Sequence, residues 1–366
     1  MTAARRPQKD ASNKMRQTWK TARPIYRLLP ILAIALLPAA APAQTKIKVG
    51  TVRSTVIGGV VSAQARGYFK DARLDVDIAL IDASAGFVPA LATSELNVVE
   101  GGISANLFNG VAQGLPIKIA FDSTSTPINH SLMLRYDLRN EIKSIRDLKG
   151  RTVAVNAPNS IALYEVTRIL ESAGLTINDI QTKVIPFAQM AVAFQTRAID
   201  AGLEITPFTA LLPKQELAVA WIDSDAIVKP SPVMISASMF NTDWARTNPD
   251  TAKAFFTALL RGVRDYCDAY HGGSRRPDML RLLVANGVAT SPELLDAIPW
   301  PSRNPDGYIP RPSLTDVQHW YVAQGLVRTE LPLDRLVDES FAENADRALG
   351  PFKLAPVSSA KAGCGR

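Results

Sequence analysis

Small polar residues occur in five short segments, each between an apolar run typical of a strand and the start of a predicted helix. The segments are Arg53-Ser54-Thr55, Ser84-Ala85-Gly86, Gly101-Gly102-Ile103-Ser104, Ser123-Thr124-Ser125 and Asn156–Ser160. Backbone N–H groups at a helix N-terminus, with hydroxyl groups beside them, favour an anion. For any single segment, ordinary helix capping explains these residues at least as well. Five such segments at the ends of predicted strands together indicate a small-molecule site.

Charged and aromatic residues extend this candidate site. Arg53 directly follows the first predicted strand and is the best-placed cation for a sulfonate or carboxylate, although a solvated surface arginine is equally common. Glu204 ends a later strand and could accept a hydrogen bond from an amine or a ring N–H. Four aromatic residues could form a wall, but aromatic residues at helical spacing lie more often in a core. They are Phe87, Phe108, Tyr164 and Phe208.

The sequence therefore predicts one ligand-binding site assembled from these segments. Its predicted residues are Arg53, Ser54, Thr55, Ser84, Gly86, Phe87, Gly102, Ile103, Ser104, Ser123, Ser125, Asn156, Ser160, Glu204 and Phe208.

Residue patterns typical of catalysis or metal binding do not occur in the chain. Its three histidines, His130, His271 and His319, are far apart and form no HExxH or Cys/His cluster. No GxSxG, GxGxxG or GxxxxGK[ST] segment occurs, so acyl transfer and nucleotide binding lack their usual loops. His130 is better explained as a structural or hinge residue than as a base. We expect a binding protein without metal or cofactor, not an enzyme.

The first 43 residues form a basic leader followed by an uncharged run from Leu28 to Ala43. The run is short and contains three prolines, which disfavours a membrane-spanning helix, and Ala41-Pro42-Ala43 matches a signal-peptidase site. We predict a signal peptide over 1–43, starting at Met1 or Met15, with cleavage after Ala43 and a periplasmic mature protein. The leader holds eight of the 41 basic and one of the 34 acidic residues, leaving 33 of each. The remainder is formally neutral, which gives no indication of nucleic-acid binding.

Two cysteines follow the leader. Cys267 lies in FFTALLRGVRDYCDAY, where apolar residues recur at helical spacing, so we expect a buried core thiol. Cys364 lies in a Gly/Ser/Ala-rich tail over 355–366 that we expect to be disordered. A disulfide between them is the weaker alternative.

Short strands alternate with helices in two blocks, which begin at KIKVGTV and at SIRDLKGRTVAVN. Two segments, Ala90–Ser104 and Ala193–Pro207, align without gaps, each with a short helix, a polar turn and a strand that opens into a loop. Such alternation predicts parallel sheets covered by helices on both faces. Because parallel sheets bind ligands at the carboxyl ends of their strands, we expect two similar lobes facing each other across a ligand-binding cleft.

Several segments carry a resemblance to a known family. They are AQARGYFKDARLDVDI, ALATSELNVVEGGIS, GLPIKIA, SIRDLKGRTVAV, FQTRAIDAGLEITPF and GYIPRPSLTDVQHWYVAQGLV. Together they resemble the solute-binding proteins of ABC importers in the nitrate/sulfonate/taurine group, which also contains the thiamin-pyrimidine precursor binders. The glycine of that family's Ser-Gly-x-x-Asp turn is replaced by Ser94 in the first copy and by Arg197 in the second.

The resemblance implies an α/β, type II periplasmic-binding-protein fold with two lobes joined by a two-segment hinge. Lobe 1 would comprise 44–132 and the mainly helical 236–354, with lobe 2 over 133–235 between them. The chain would cross between the lobes near Leu132–Arg135 and Val233–Ser236.

The implied function is that of the periplasmic solute-binding component of an ABC importer. It would capture a small organic anion, a sulfonate or carboxylate that can be aromatic, and deliver it to permease subunits in the inner membrane, acting as a monomer. The main alternative is a binder of a neutral or cationic, pyrimidine-like thiamin precursor. An enzyme on the same fold is disfavoured, since the enzymatic relative of this group uses a Cys-rich motif that is absent here. A periplasmic sensor subunit is a further alternative.

Overall fold

Two mixed five-stranded sheets form the framework of the protein in a computed structural model that describes residues 44–81, 86–354 and 363–365. The predicted signal peptide lies outside the described residues. Within those ranges, no helix is long and apolar enough to cross a membrane.

Three neighbouring strands of sheet 1 are parallel, and one antiparallel strand lies between them and the fifth strand. Its strands are β1 (Thr45–Thr51), β2 (Leu74–Leu80), β3 (Val98–Gly102), β4 (Ile117–Ser125) and β10 (Met234–Asn241). The spatial order is β2-β1-β3-β10-β4, with β10 antiparallel to both β3 and β4.

Sheet 2 repeats this arrangement. Its strands are β5 (Ser131–Arg135), β6 (Thr152–Val155), β7 (Gln181–Val184), β8 (Ala201–Glu204) and β9 (Ala218–Asp223). The order is β7-β6-β8-β5-β9, with β5 antiparallel to both β8 and β9. The predicted α/β class with two similar sheets is confirmed. The strands β5 and β9 were not predicted.

Helices cover both faces of each sheet. They are α1 (Gly58–Ala65), α2 (Tyr68–Asp71), α3 (Phe87–Ala92), α4 (Ala105–Ala112), α5 (Ile161–Glu171), α6 (Phe187–Gln195), α7 (Phe208–Lys214), α8 (Ser224–Ile227), α9 (Thr242–Thr247), α10 (Pro249–Tyr270), α11 (Arg276–Ala285), α12 (Pro292–Asp296), α13 (Arg311–Ala323), α14 (Leu333–Leu336) and α15 (Ser340–Leu349). The longest, α10, packs closely on α1, since a Cβ on Gly262 would lie only 2.0 Å from the carbonyl oxygen of Gly59.

The internal echo in the sequence corresponds to two equivalent turns. The Asn97 side chain accepts a hydrogen bond from the Lys48 amide at 2.8 Å, next to β1, and Asp200 accepts one from Thr152 at 2.9 Å, at the start of β6. Ser94 and Arg197 have φ values of 61° and 58°. These are the two positions where the family turn has glycine, which adopts such φ values without steric cost.

The chain passes between the sheets through residues 126–130 and 224–233. Leu132, which was expected to end the first lobe, lies inside β5 and pairs with Leu203 of β8. The segments that join the sheets therefore lie a few residues before those expected from the sequence.

The expected burial of Cys267 in the core is confirmed, but the expectation that it is a free thiol is wrong. Cys267 and Cys364 form a disulfide, and both residues are buried. Residues 363–365 lie against the protein, since the Cys364 amide donates to Ser302 Oγ at 2.7 Å. The predicted disorder of the tail therefore does not extend to these residues, and 355–362 lie outside the described ranges. The composition of the tail gave no indication of this long-range contact.

Candidate functional site

A cavity lies between the two sheets, where the loops that follow their parallel strands meet. It encloses about 600 Å³ of space free of protein atoms, including its open mouth. Its lining residues are Val52, Ser54, Val56, Glu100, Gly101, Gly102, Thr124, His130, Asn156, Ile161, Ala162, Glu165, Phe187, Ile205, Ile235 and Ser236.

The strand ends supply most of the lining. Val52 and Ser54 follow β1, Asn156 follows β6, and Ile205 follows β8. These are the carboxyl ends of parallel strands, where ligands bind in open α/β sheets. The location that the sequence predicted for the site therefore agrees with the position of the cavity.

Glu100, in the middle of sheet 1, is one of two almost completely buried carboxylates of the lining. Its Oε2 accepts hydrogen bonds from Ser123 Oγ at 2.9 Å and from Arg303 Nη2 at 2.5 Å, and Ser238 Oγ donates to Oε1. Glu100 and Arg303 are each 1% exposed. Such burial is favourable only because the two charges are paired and hydrogen-bonded. Arg303, which is not a lining residue, therefore balances the charge of the Glu100 carboxylate.

Asp122 lies close to this ion pair. Burial raises the pKa of Asp122 to about 7, although a hydrogen bond from Ser125 and the nearby Arg303 charge oppose the shift. Its Oδ2 accepts from Ser125 Oγ at 2.6 Å, and its Oδ1 has no hydrogen-bond partner among the described residues.

The second cavity carboxylate, Glu165, comes from α5 of the sheet 2 layer. Its side chain is completely buried, and its Oε1 lies 3.1 Å from Nδ1 of His130. His130 lies in the first segment that joins the sheets. With Nδ1 directed to Glu165, the other ring nitrogen, Nε2, has no hydrogen-bond partner among the described residues. The pair therefore offers a carboxylate and an imidazole to a cavity ligand.

Three further lining residues have polar atoms without partners in the described part of the chain. These buried atoms are Thr124 Oγ1, Asn156 Oδ1 and Ser236 Oγ. Because an unpartnered buried polar group is costly, such atoms next to a cavity are candidates for bonding to a ligand or to water. The rest of the lining is mostly aliphatic and includes the ring of Phe187.

Three of the predicted site residues line the cavity: Ser54, Gly102 and Asn156. Arg53, the predicted anion clamp, is exposed and is not among the lining residues. A Cβ on Gly287 would lie 2.5 Å from its Nη1, so the guanidinium group packs against the turn after α11.

Several other predicted site residues pack in apolar clusters or bond to buried carboxylates near the cavity. Phe87 is buried against β3, where a Cβ on Gly101 would lie 2.1 Å from its ring. Phe208 is partly buried and packs against an apolar cluster of sheet 2. Thr55 is buried outside the lining, and Gly86 is exposed. The hydroxyl groups of Ser123 and Ser125 bond to Glu100 and Asp122, as described above, and Ser84 lies outside the described residues.

Phe108 and Tyr164, the other aromatic candidates, are both fully buried in the apolar cluster beside sheet 1. They form no wall of the cavity.

The helix starts at Ile103–Ser104 and at Ser160, which were predicted to donate to a ligand, are joined to each other across the cleft by backbone hydrogen bonds. Ser104 and Ser160 form an antiparallel bridge, in which the amide of Ala105 donates to Asn159 O and that of Ile161 to Ile103 O, both at 3.1 Å. These first amides of α4 and α5 are therefore engaged by backbone oxygen atoms. Helix ends were expected to bind an anion, and here they connect the two sheets.

Glu204 is completely buried at the end of β8, beside the lining residue Ile205. Burial raises the pKa of Glu204 well above its usual value, while the Ile205 amide opposes the shift. Its Oε1 has no partner among the described residues. Glu204, which was predicted to bind the ligand, lies next to the cavity but is not among its lining residues.

Sequence reasoning missed Glu100, Glu165, Ser236 and Arg303, and it assigned His130 no ligand role. Glu100 could have been found, because a carboxylate inside the apolar run VVEGG requires a buried partner. Arg303 follows no such pattern, since it meets Glu100 across a sequence separation of 203. Among the described residues, no group of three His, Cys, Asp or Glu side chains could hold a metal ion.

Proteins of known structure share this architecture at low sequence identity. The ligand-binding component of an ABC-type import system from Staphylococcus aureus is 13% identical, with a TM-score of 0.67 over 83% of this chain and 100% of that one. The aliphatic sulphonate binding protein SsuA from Escherichia coli is 17% identical, with a TM-score of 0.63 over 82% and 100%. The desulfurization enzyme DSZB is 14% identical, with a TM-score of 0.62 over 84% and 100%. These similarities establish the fold.

One curated relative and one family model match the sequence itself. A candidate thiamine biosynthesis protein of Haemophilus influenzae is 27% identical over 145 residues, which span 39% of this chain and 43% of the relative. The aligned part is thus less than half of that protein. The family model described as NMT1/THI5 like matches residues 54–269, more than half of the chain and most of the cavity lining. The protein belongs to the NMT1/THI5 like family.

Proposed function

We propose that the protein is the periplasmic solute-binding component of an ABC importer and that it binds a neutral or cationic nitrogen heterocycle of the pyrimidine type. The fold of the import-system neighbour supports the transport role. The family and the thiamine-related relative support the ligand class. The predicted signal peptide, with cleavage after Ala43, supports the periplasmic location.

The observation that carries this ligand class is the charge of the cavity lining. The lining includes two carboxylates, Glu100 and Glu165, and no lysine or arginine. Arg303 balances the charge of Glu100, but no lysine or arginine pairs with Glu165 in the described structure. A desolvated sulfonate, carboxylate or nitrate would therefore face the Glu165 carboxylate without a cationic clamp, because Arg53 lies elsewhere. A ring with amino groups can instead donate hydrogen bonds to a carboxylate. The heterocycle is therefore favoured over the organic anion expected from the sequence.

The lining also fits the shape and hydrogen-bonding pattern of such a ring. Aliphatic side chains and the ring of Phe187 provide flat apolar contact, as in most small-molecule sites. Glu165 would accept from an exocyclic amino group, while Nε2 of His130 would meet a ring nitrogen or its proton. Asn156 and Ser236, with their unpartnered oxygen atoms, would bond to polar substituents.

The transport role needs opening and closure of the cleft. We propose that the residues of sheet 1 and sheet 2 form two lobes, 44–125 with 234–354 and 131–223. The segments that join the sheets, 126–130 and 224–233, would act as a hinge. Closure would exclude water from the ligand and create the surface that permease subunits recognise. The protein would act as a monomer in this cycle.

Binding without turnover is the activity that we propose, although DSZB shows that the fold can support an enzyme. No cysteine is among the lining residues of the cavity, and Cys267 and Cys364 are joined in a disulfide. Chromatography of a candidate ligand after long incubation with the protein checks this point. We expect unchanged ligand, and accumulation of a product would contradict the proposal.

The central test is native mass spectrometry of the purified protein, followed by thermal unfolding with 4-aminopyrimidine, taurine, benzoate and nitrate. Ligand binding raises the unfolding temperature because it stabilises only the folded state. We expect 4-aminopyrimidine to stabilise the protein and the three other compounds to have little effect. Stabilisation by an anion alone would overturn the ligand class, and no response to any compound, with no retained ligand mass, would contradict the binding function.

Variants connect this result to the cavity. Glu165→Gln should weaken 4-aminopyrimidine binding at least about tenfold, because a charged acceptor is lost. Glu95→Gln is the matched control, since Glu95 is exposed and outside the lining. Arg53→Ala should leave binding nearly unchanged if the ligand is a heterocycle. Strong loss with Arg53→Ala would restore the anion hypothesis.

A further inference from the structure

Helix α5 belongs to the layer of sheet 2, but part of it is buried in the layer of sheet 1. Its Val166, Ile169 and Leu170 pack in the sheet 2 core. Tyr164 is instead fully buried in the apolar cluster beside sheet 1, where its ring makes an edge contact with Trp320 of α13, with centroids 5.4 Å apart. The helix therefore connects the two layers.

A single carboxylate on α13 holds two side chains of α5. Tyr164 Oη donates to Asp316 Oδ2 at 2.7 Å, and Arg168 Nη2 lies 3.0 Å and 2.9 Å from Oδ1 and Oδ2. Tyr164 and Arg168 are four residues apart, so they lie one above the other on the same helix face. Charge-assisted hydrogen bonds of this kind are stronger than neutral ones.

The neighbouring face of α5 lines the cavity. Ile161 and Glu165, also four residues apart, are lining residues, and Glu165 directly follows Tyr164. Because a helix moves as a rigid unit, the position that Asp316 gives to Tyr164 and Arg168 also fixes the position of Glu165. The two backbone hydrogen bonds across the cleft start from Ile161, the first residue of α5, and from Ala105, the first residue of α4.

We propose that Asp316 is a positioning residue that holds α5 across the cleft and thereby sets the population of the closed form. The apparent dissociation constant equals the intrinsic constant divided by the fraction of protein in the binding-competent form. Loss of the Asp316 contacts therefore weakens ligand binding without any change in a cavity residue.

Hydrogen exchange of the ligand-free protein tests the closure directly. In Asp316→Ala, the amides of Ala105 and Ile161 should exchange at least about tenfold faster, since their acceptors lie across the cleft. Asp316→Glu should restore part of the protection. Asp334→Asn is the matched control. Asp334 lies in α14 and pairs with Arg311 of α13, the helix that carries Asp316, and the Asp334 side chain is 91% exposed.

Unchanged protection at these two amides in Asp316→Ala would overturn the proposal. So would an equal loss of protection throughout both sheets, since that indicates general destabilisation. If Asp316→Ala does not fold, Tyr164→Phe removes only the hydroxyl group and keeps the ring contact with Trp320. Hydrogen exchange of the Ala105 and Ile161 amides in Tyr164→Phe then tests the proposal.

A second measurement rests on the proposed function and follows 4-aminopyrimidine by stopped flow. The dissociation rate should rise at least about tenfold in Asp316→Ala and stay at the wild-type value in Asp334→Asn. If the wild-type protein does not bind this compound, the proposed ligand class fails, while hydrogen exchange still decides the role of Asp316. Wild-type dissociation rates in Asp316→Ala would contradict the proposal.

Discussion

Replacement of Arg303 by methionine tests the buried ion pair behind the cavity. Both Arg303 and Glu100 are 1% exposed, and the guanidinium group bonds to the Glu100 carboxylate and to the carbonyl oxygen of Val56. Methionine keeps much of the side-chain volume but has no charge and no donor. Glu100 would then keep only its two serine partners, Ser123 and Ser238.

The expected cost follows from the burial of Glu100. Removal of one partner of a buried ion pair costs about 3–5 kcal/mol, because an uncompensated charge stays in the interior. In the double variant Glu100→Gln/Arg303→Met, no charge is left unpaired. One serine hydroxyl group can still donate to the amide oxygen, and the other can accept from the amide NH2 group. We therefore expect the double variant to lie within about 2 kcal/mol of the wild type.

Urea unfolding followed by circular dichroism, with Glu100→Gln as the fourth member of the cycle, measures these free energies. A loss of less than about 1 kcal/mol for Arg303→Met would show that water or local movement compensates Glu100. Additive effects in the double variant would mean that Arg303 stabilises the protein through its other contacts. Either result would refute the explanation that Arg303 stabilises the protein by balancing the buried charge of Glu100.

Two further predictions concern stability. Burial raises the pKa of Asp122 to about 7, so the folded state holds a proton that the unfolded chain has lost, and the free energy of unfolding should fall as pH rises from about 4 to about 7. Urea unfolding across this range should show a smaller decrease in Asp122→Asn, and an unchanged slope would contradict this. Reduction of the disulfide releases a loop with a sequence separation of 97, which should lower the free energy of unfolding by about 4–5 kcal/mol; equal urea midpoints with and without reductant would disprove it.

The parallel parts of both sheets could be predicted from the sequence because local patterns determine them. Strands such as β1 and β3 are short apolar runs that lead into helices through polar loops, and the Asn97 and Asp200 turns repeat. The strands β5 and β9 follow a different rule. They pair with each other in an antiparallel manner across a sequence separation of more than 80 residues, so no local turn marks them.

The position of the cavity could also be predicted, because strand ends place Ser54, Gly102 and Asn156 around it. The directions of side chains could not. Arg53 immediately precedes Ser54, yet its guanidinium group packs beside Gly287. Likewise, the N-termini of α4 and α5 were identified correctly, but their first amides bond across the cleft, which depends on how the two sheets meet. The segment Ser123–Ser125, which was also expected to precede a helix, lies inside β4 and is followed by β5.

The charge that the cavity offers to a ligand depends on pairings that the sequence does not reveal. Glu100 is compensated from behind by Arg303, so its negative charge is already balanced when the ligand enters. Glu165 instead bonds to the imidazole of His130 and pairs with no lysine or arginine in the described structure. We therefore expect a positively charged or amino-substituted ring to bind with its donor groups at Glu165.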